Sequence, residues 1–261
     1  MAGVSRPLRV GLNLLFLGDR AGGVGRLGLE LVRELAARED VAVEAFVASD
    51  ASGELLALCA QVGVRVTRVR GAAGASRLRP AAEYGLLPAL ALARGVDVLH
   101  SLGNAGPVRS PRTACVVSVH DVIWRRAGDD WADAAAQRSM DRVVGPTARR
   151  ADLVLTGSED SRRDVIAELR VAADRVVVTP YGVRPAPRAE AADVRARLDL
   201  GGGPVLLCVA QKRPYKNQEA VVRALAALPD RRAVAVLPGA ATPYEEHQRA
   251  VAAALGVGDR V

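Results

Sequence analysis

The sequence has almost no lysine. Of its 36 basic residues only Lys212 and Lys216 are lysines, and arginine fills every other basic position. Blocks of five or six like charges are also missing, so the formal net charge of +7 is spread along the chain and argues against nucleic acid as a partner. There are only three cysteines, Cys59, Cys115 and Cys208, with no CxxC among them. That excludes a disulfide framework or a thiolate zinc site, and because each lies in an apolar run, buried free thiols in a reducing compartment are expected. No apolar run approaches the ~18 residues that span a bilayer, LLPALALA at 86–93 being among the longest. The opening MAGVSRPLRVGLNLLFLGDR has arginines before an apolar stretch, as a secretory leader does. Asn13 interrupts that stretch, Asp19 and Arg20 end it, and no small-x-small cleavage pattern follows. A cytoplasmic location is expected. No DxD pattern stands out either: Asp129 and Asp130 are adjacent in a loop, and neither metal nor cofactor is expected.

What is present is ordinary globular material. The 261 residues are half apolar and a quarter charged, enough for one large core or two smaller ones and incompatible with disorder. Apolar runs of strand length at 9–17, 41–48, 64–69, 96–100, 114–119, 152–156 and 175–179 alternate with helical patterns at 24–38, 53–62, 80–93, 131–150 and 158–169. This β-α order predicts an α/β fold, a parallel sheet covered by helices on both faces, with ligands taken at the C-terminal strand ends. The loops at 18–26, 101–112, 120–130 and 156–161 sit there. Residues 1–185 read as a complete Rossmann-like domain and 186–203, rich in proline and glycine, as a linker. Residues 204–261 read as the start of a second such domain, with strands at 205–209 and 233–237 and helices at 217–228 and 244–255. Two strands are too few to close a doubly wound sheet, so the second domain reads as truncated.

Three stretches carry chemistry. Gly22, Gly23 and Gly25 follow a strand and open a helix, where free N–H groups and the dipole suit a phosphate; a plain tight turn is the alternative. The same stretch contains GxGxxG, at Gly23, Gly25 and Gly28, with Asp50 downstream, the fingerprint of an NAD(P)-dependent dehydrogenase. Residues 18–21 intervene between strand and glycines, which counts against that reading, and Gly28 suits close packing of the helix on the sheet. His120, followed by Asp121, ends a strand, where an imidazole reaches a sugar hydroxyl or a phosphate as readily as it serves as a structural group. His100, on the neighbouring strand end, is a weaker candidate. Finally, QKRPYKN at 211–217 holds both lysines of the protein beside a helix start, and Lys212, Arg213 and Lys216 together suit a diphosphate.

Taken in order, these segments resemble the retaining GT-B glycosyltransferases of family 4. The resemblance rests on GGVGRLGLELVREL, VDVLHSLGNAGP, VVSVHDVIW, ADLVLTGSEDSRRDVIAEL with DRVVVTPYGV, and VLLCVAQKRPYKNQEAVVRALAAL. It implies transfer of a hexose-type sugar from a nucleotide-diphosphate sugar, with retention, to a glycan, lipid or small-molecule acceptor. Gly22 and Gly23 would then face the donor diphosphate and His120 the transferred sugar, with Asp121 beside it. Lys216 would bind the diphosphate and stabilise the leaving group, while Asn104 and Ser161 would touch donor or acceptor. The family often has arginine where Gln211 stands, and Lys212 or Arg213 would supply that cation here. Its E-x7-E segment and base and ribose pocket would lie beyond Val261, so a 261-residue chain is expected to bind donor poorly and to transfer sugar negligibly. A further reading is a non-catalytic, transferase-like protein that binds a partner or the inner membrane face, with the arginine pairs 125–126, 149–150 and 162–163 meeting anionic lipid.

Overall fold

The computed structural model describes residues 6–18, 22–73, 78–108, 110–131, 134–185 and 191–261. The spacer residues 19–21, the middle of the loop at 71–79 and the first linker residues, 186–190, lie outside the described residues. The chain divides into two compact units. One comprises Met1–Val122 with Arg138–Gly182, and the other Ile123–Gln137 with Val183–Val261.

The first unit is built on seven parallel strands: β1 (Leu8–Asn13), β2 (Val41–Val47), β3 (Arg65–Arg68), β4 (Val98–Ser101), β5 (Ala114–Ser118), β6 (Leu153–Thr156) and β7 (Val176–Val178). Their order is β3-β2-β1-β4-β5-β6-β7. Continuous apolar runs make such strands because both faces are covered: Leu12, Ala45, Phe46 and Val47 are wholly buried. One face packs Val10, Leu12 and Val47 against α1 (Gly23–Ala36) and α2 (Gly53–Gln61) through Leu29, Val32, Leu55 and Leu58. The other packs Phe46, Val96 and Leu99 under Leu87 and Ala91. The order reverses between β1 and β4, a switch point of the kind at whose C-terminal strand ends open α/β sheets take ligands.

Two elements that shape the site differ from the sequence expectation. The run expected as strand to residue 17 ends at Asn13, whose side-chain Oδ1 accepts the backbone N–H of Leu15 at 3.3 Å and turns the chain. The helix expected at 80–93 is interrupted. It begins as α3 (Arg79–Ala81), widens into a π turn at Ala82–Leu86 and resumes as α4 (Leu87–Ala93). Pro88 explains this, because it has no N–H for the carbonyl four residues back and its ring would crowd that carbonyl. The next helices are α5 (Ile123–Arg126), α6 (Ala134–Arg150) and α7 (Glu159–Leu169). Ser158 caps α7 by accepting the Ser161 N–H.

The second unit contains α8 (Ala191–Arg197), the parallel pair β8 (Val205–Leu207) and β9 (Val234–Val236), α9 (Gln218–Ala227) and α10 (Tyr244–Ala254). Its core joins Val222, Leu225, Ala233, Ala235, Ala252 and Val257. Cys59 and Cys115 are buried free thiols, but Cys208 is only half-buried, because it follows β8 at the edge of a two-stranded sheet. Among the described residues, no helix is long and apolar enough to cross a membrane.

Candidate functional site

The strand-end cluster of the first unit centres on His120, two residues beyond β5. Its backbone N–H is accepted by Asn104 Oδ1 at 3.0 Å. Asn104 itself has φ 65°, a left-handed conformation that asparagine tolerates better than most residues. The imidazole Nε2 lies 2.7 Å from the Leu102 carbonyl and Nδ1 lies 2.6 Å from the Tyr181 hydroxyl. His120 is therefore held by the 102–104 loop and by the segment after β7, which fixes both the position of the residue and the orientation of its ring. Asp121 is exposed beside it. Burial, with Asp121 as the second cause, raises the pKa of the Tyr181 phenol. His100 meets Ser118 Oγ at 2.8 Å, and burial above all, with neighbouring His120 second, brings its pKa down to about 4. His100 is thus a neutral structural group at neutral pH.

A second polar cluster occupies the switch point. Asn13 Nδ2 donates to Glu83 Oε1 at 2.9 Å and to Ser101 Oγ at 3.1 Å. Glu83 lies in the π turn, and burial pushes its carboxyl pKa up against the opposing effects of Asn13 and Arg79. Sequence reasoning missed Glu83 and Tyr181. Asn13 was the available signal for the first, since a lone amide at the end of an apolar strand requires a partner.

Gly22 and Gly23 are exposed at the start of α1, and Gly22, at the N-cap, has no side chain with which to cap the helix. Gly28 is buried, and a Cβ there would meet Leu17 Cδ1 at 3.0 Å, so its absence lets α1 lie close to the chain leaving β1. Ser161 is engaged in the first turn of α7, with its Oγ 3.2 Å from Ser158 Oγ.

In the second unit the 211–217 loop is braced from within. Lys212 is buried; its ammonium donates to the Leu237 carbonyl, and Thr242 Oγ1 donates to the Lys212 carbonyl. Arg213 donates to the Trp131 carbonyl at 2.8 Å. Buried Gln218 donates to the Cys208 and Ala210 carbonyls at 3.1 and 3.2 Å, fixing the exit from β8. Lys216 is exposed, its ammonium 4.8 Å from the centre of the Tyr215 ring, a cation–π contact that limits its wandering. Asn217 follows at φ 49° and starts α9. The loop thus presents Lys216 outward, while Lys212 and Arg213 hold backbone carbonyls.

Three arginines of the proposed lipid-facing pairs have internal partners. Arg149 donates to the Leu169 carbonyl, Arg162 to those of Val176 and Ala173, and Arg163 to Asp160. Among the described residues, no three His, Cys, Asp or Glu side chains gather as a metal site would require. A cavity of about 390 Å³ lined by Val108, Ser110, Pro111 and Asp152 lies near the starts of β5 and β6, away from the strand-end cluster.

The architecture is that of the GT-B class. HepE from Anabaena, solved with UDP and glucose, is similar at 18% identity and TM-score 0.67, over 98% of this chain and 68% of that one. Sucrose-phosphate synthase from Thermosynechococcus elongatus is similar at 17% identity and TM-score 0.61, over 98% and 69%. A UDP-GlcNAc 2-epimerase from Neisseria meningitidis bound to UDP-GlcNAc also shares the fold, at 10% identity and TM-score 0.54, over 95% and 70%. Fold alone therefore does not choose the chemistry. No curated protein matches the chain. The sequence profile described as Glycosyltransferase Family 4 matches residues 21–186, more than half of the chain. The chain belongs to that family.

Proposed function

We propose that the protein transfers a hexose-type sugar from a nucleotide-diphosphate sugar to an acceptor hydroxyl, with retention of configuration. The observation that carries this reading is the family match across residues 21–186, a span that contains the His120 cluster. The same-fold structure of HepE with UDP and glucose supports the donor class. In the first unit, His120, positioned by Asn104 and Leu102, serves the sugar end of the donor with Asp121 beside it. The start of α1 at Gly22 and Gly23 serves the diphosphate. In the second unit Lys216 meets negative charge. Departure of a nucleoside diphosphate develops charge on its terminal phosphate, and a preorganised ammonium lowers the cost of that step. Lys212 and Arg213 contribute by holding the loop that presents Lys216. The chemistry proposed requires no metal. A glycan, a lipid or a small molecule is the acceptor.

The test is titration of the chain with UDP and with UDP-glucose, read by calorimetry or NMR so that weak binding registers. Lys216→Ala is expected to weaken both ligands about tenfold, the loss of one charge-assisted contact of about 1.4 kcal/mol. Equal affinities in the wild type and the variant would contradict the role of Lys216. Binding of NADH in place of either nucleotide would favour the dehydrogenase reading.

A further inference from the structure

The hydrogen bonds around His120 determine what kind of group it can meet. A carbonyl oxygen only accepts, so the contact with Leu102 places the proton of the neutral imidazole on Nε2. Nδ1 is then bare, and the Tyr181 hydroxyl, 2.6 Å away, donates to it. Both ring nitrogens are occupied. The phenol oxygen keeps its lone pairs, and Tyr181 is 49% exposed whereas the imidazole is half-buried behind it. The two rings lie 5.8 Å apart at 60°, and the hydrogen bond between them is itself exposed. The seat of the phenol is specific. A Cβ at position 157 would come within 2.6 Å of the Tyr181 ring, so glycine at the end of β6 is what admits it.

We propose that Tyr181 is a ligand-contacting residue of this site, whose phenol oxygen accepts a hydrogen bond from a sugar hydroxyl while its proton is held by His120 Nδ1. This deepens the glycosyltransferase reading and rests on it. Because the phenol proton is already given away, the pair offers an acceptor and selects a group that donates. A hydroxyl of the donor sugar qualifies; a phosphate oxygen, which only accepts, does not. Donation to Nδ1 also polarises the phenol oxygen and strengthens the bond it accepts. His120 thereby becomes a positioning residue acting through Tyr181, and the sugar end of the donor is read by a tyrosine 61 residues away in sequence.

The test uses the full chain labelled with 15N-histidine at about pH 8, where an ordinary imidazole is neutral. His120 is expected to carry its proton on Nε2, with a bare, hydrogen-bonded Nδ1. Both Tyr181→Phe and Gly157→Ala should move the Nδ1 resonance to that of a nitrogen without a donor. Gly53→Ala, a position with open space around it, should not. UDP-glucose should then shift the Nδ1 resonance while UDP leaves it in place. Tyr181→Phe should weaken UDP-glucose about fivefold with UDP unchanged, the size of one neutral hydrogen bond. A proton on Nδ1, or a resonance indifferent to both substitutions, overturns the pairing. If UDP perturbs the 211–217 loop and UDP-glucose leaves His120 untouched, the Tyr181 contact falls and the glycosyltransferase reading stands. If no member of a panel of nucleoside diphosphates and their sugars perturbs any residue, both fall.

Discussion

The half-buried imidazole of His100 makes the first unit sensitive to acid, and the size of the effect follows from its surroundings. His100 is on β4, bonded to Ser118, and burial holds its pKa at about 4 against an ordinary 6.5. Between those two values the unfolded chain binds a proton that the folded chain refuses. Stability is therefore fully present above pH 6.5 and is lost as the pH falls toward 4. At about 1.4 kcal/mol per pH unit, that interval amounts to about 3 kcal/mol. His100→Gln retains a hydrogen-bonding partner for Ser118 and cannot titrate. Urea unfolding of both proteins in parallel, from about pH 7.5 to 4, isolates the contribution because other titrating groups cancel in the difference. The wild type should lose about 3 kcal/mol relative to the variant, nearly all of it below pH 6.5. His120→Ala removes only the second cause of the shift and should keep most of the slope. Parallel stability curves for wild type and His100→Gln would refute burial as the cause.

Other consequences are local. Gln218→Ala strips the Cys208 and Ala210 carbonyls of their donor. It should cost about 2–4 kcal/mol and speed amide exchange at residues 208–212, measured by denaturation and hydrogen exchange. Glu83→Gln keeps an acceptor for Asn13 but removes the charge that burial disfavours. A carboxyl with a raised pKa loses stability as the pH rises through the ordinary carboxylate range to its raised value. The variant should therefore gain on the wild type between pH 4 and pH 7 in thermal melts, and a gap that narrows over that range would contradict the account.

How far the sequence carried depended on whether a feature was local. Strands such as Val41–Val47 were legible because a parallel strand covered on both faces is a continuous apolar run, and α1 because its apolar stripe is regular. Asn13 read as a break in an apolar stretch, and only the fold shows it turning the chain and holding Glu83. The π turn at 82–86 could have been suspected from Pro88, though its consequence, a carboxyl at the switch point, depends on the third dimension. His120 stood out at a strand end, whereas its partners come from loops 18 and 61 residues away. Tyr181, inside an apolar and glycine-containing turn, carried no local signal. Both lysines were conspicuous, but their different placement was not: Lys212 turns to the Leu237 carbonyl and Lys216 remains outside. A basic heptapeptide shows its charge and not which cation its own backbone will hold.

The central claim is that this chain handles a nucleotide-diphosphate sugar, and saturation-transfer NMR against a panel of such sugars with different bases and hexoses tests it most directly. NADH serves as the competitor, and Lys216→Ala as the matched variant. The account predicts saturation of at least one donor at both its diphosphate-linked sugar and its nucleotide, weakened by Lys216→Ala and unaffected by NADH. No saturation of any donor, or displacement of the donor by NADH, would contradict it.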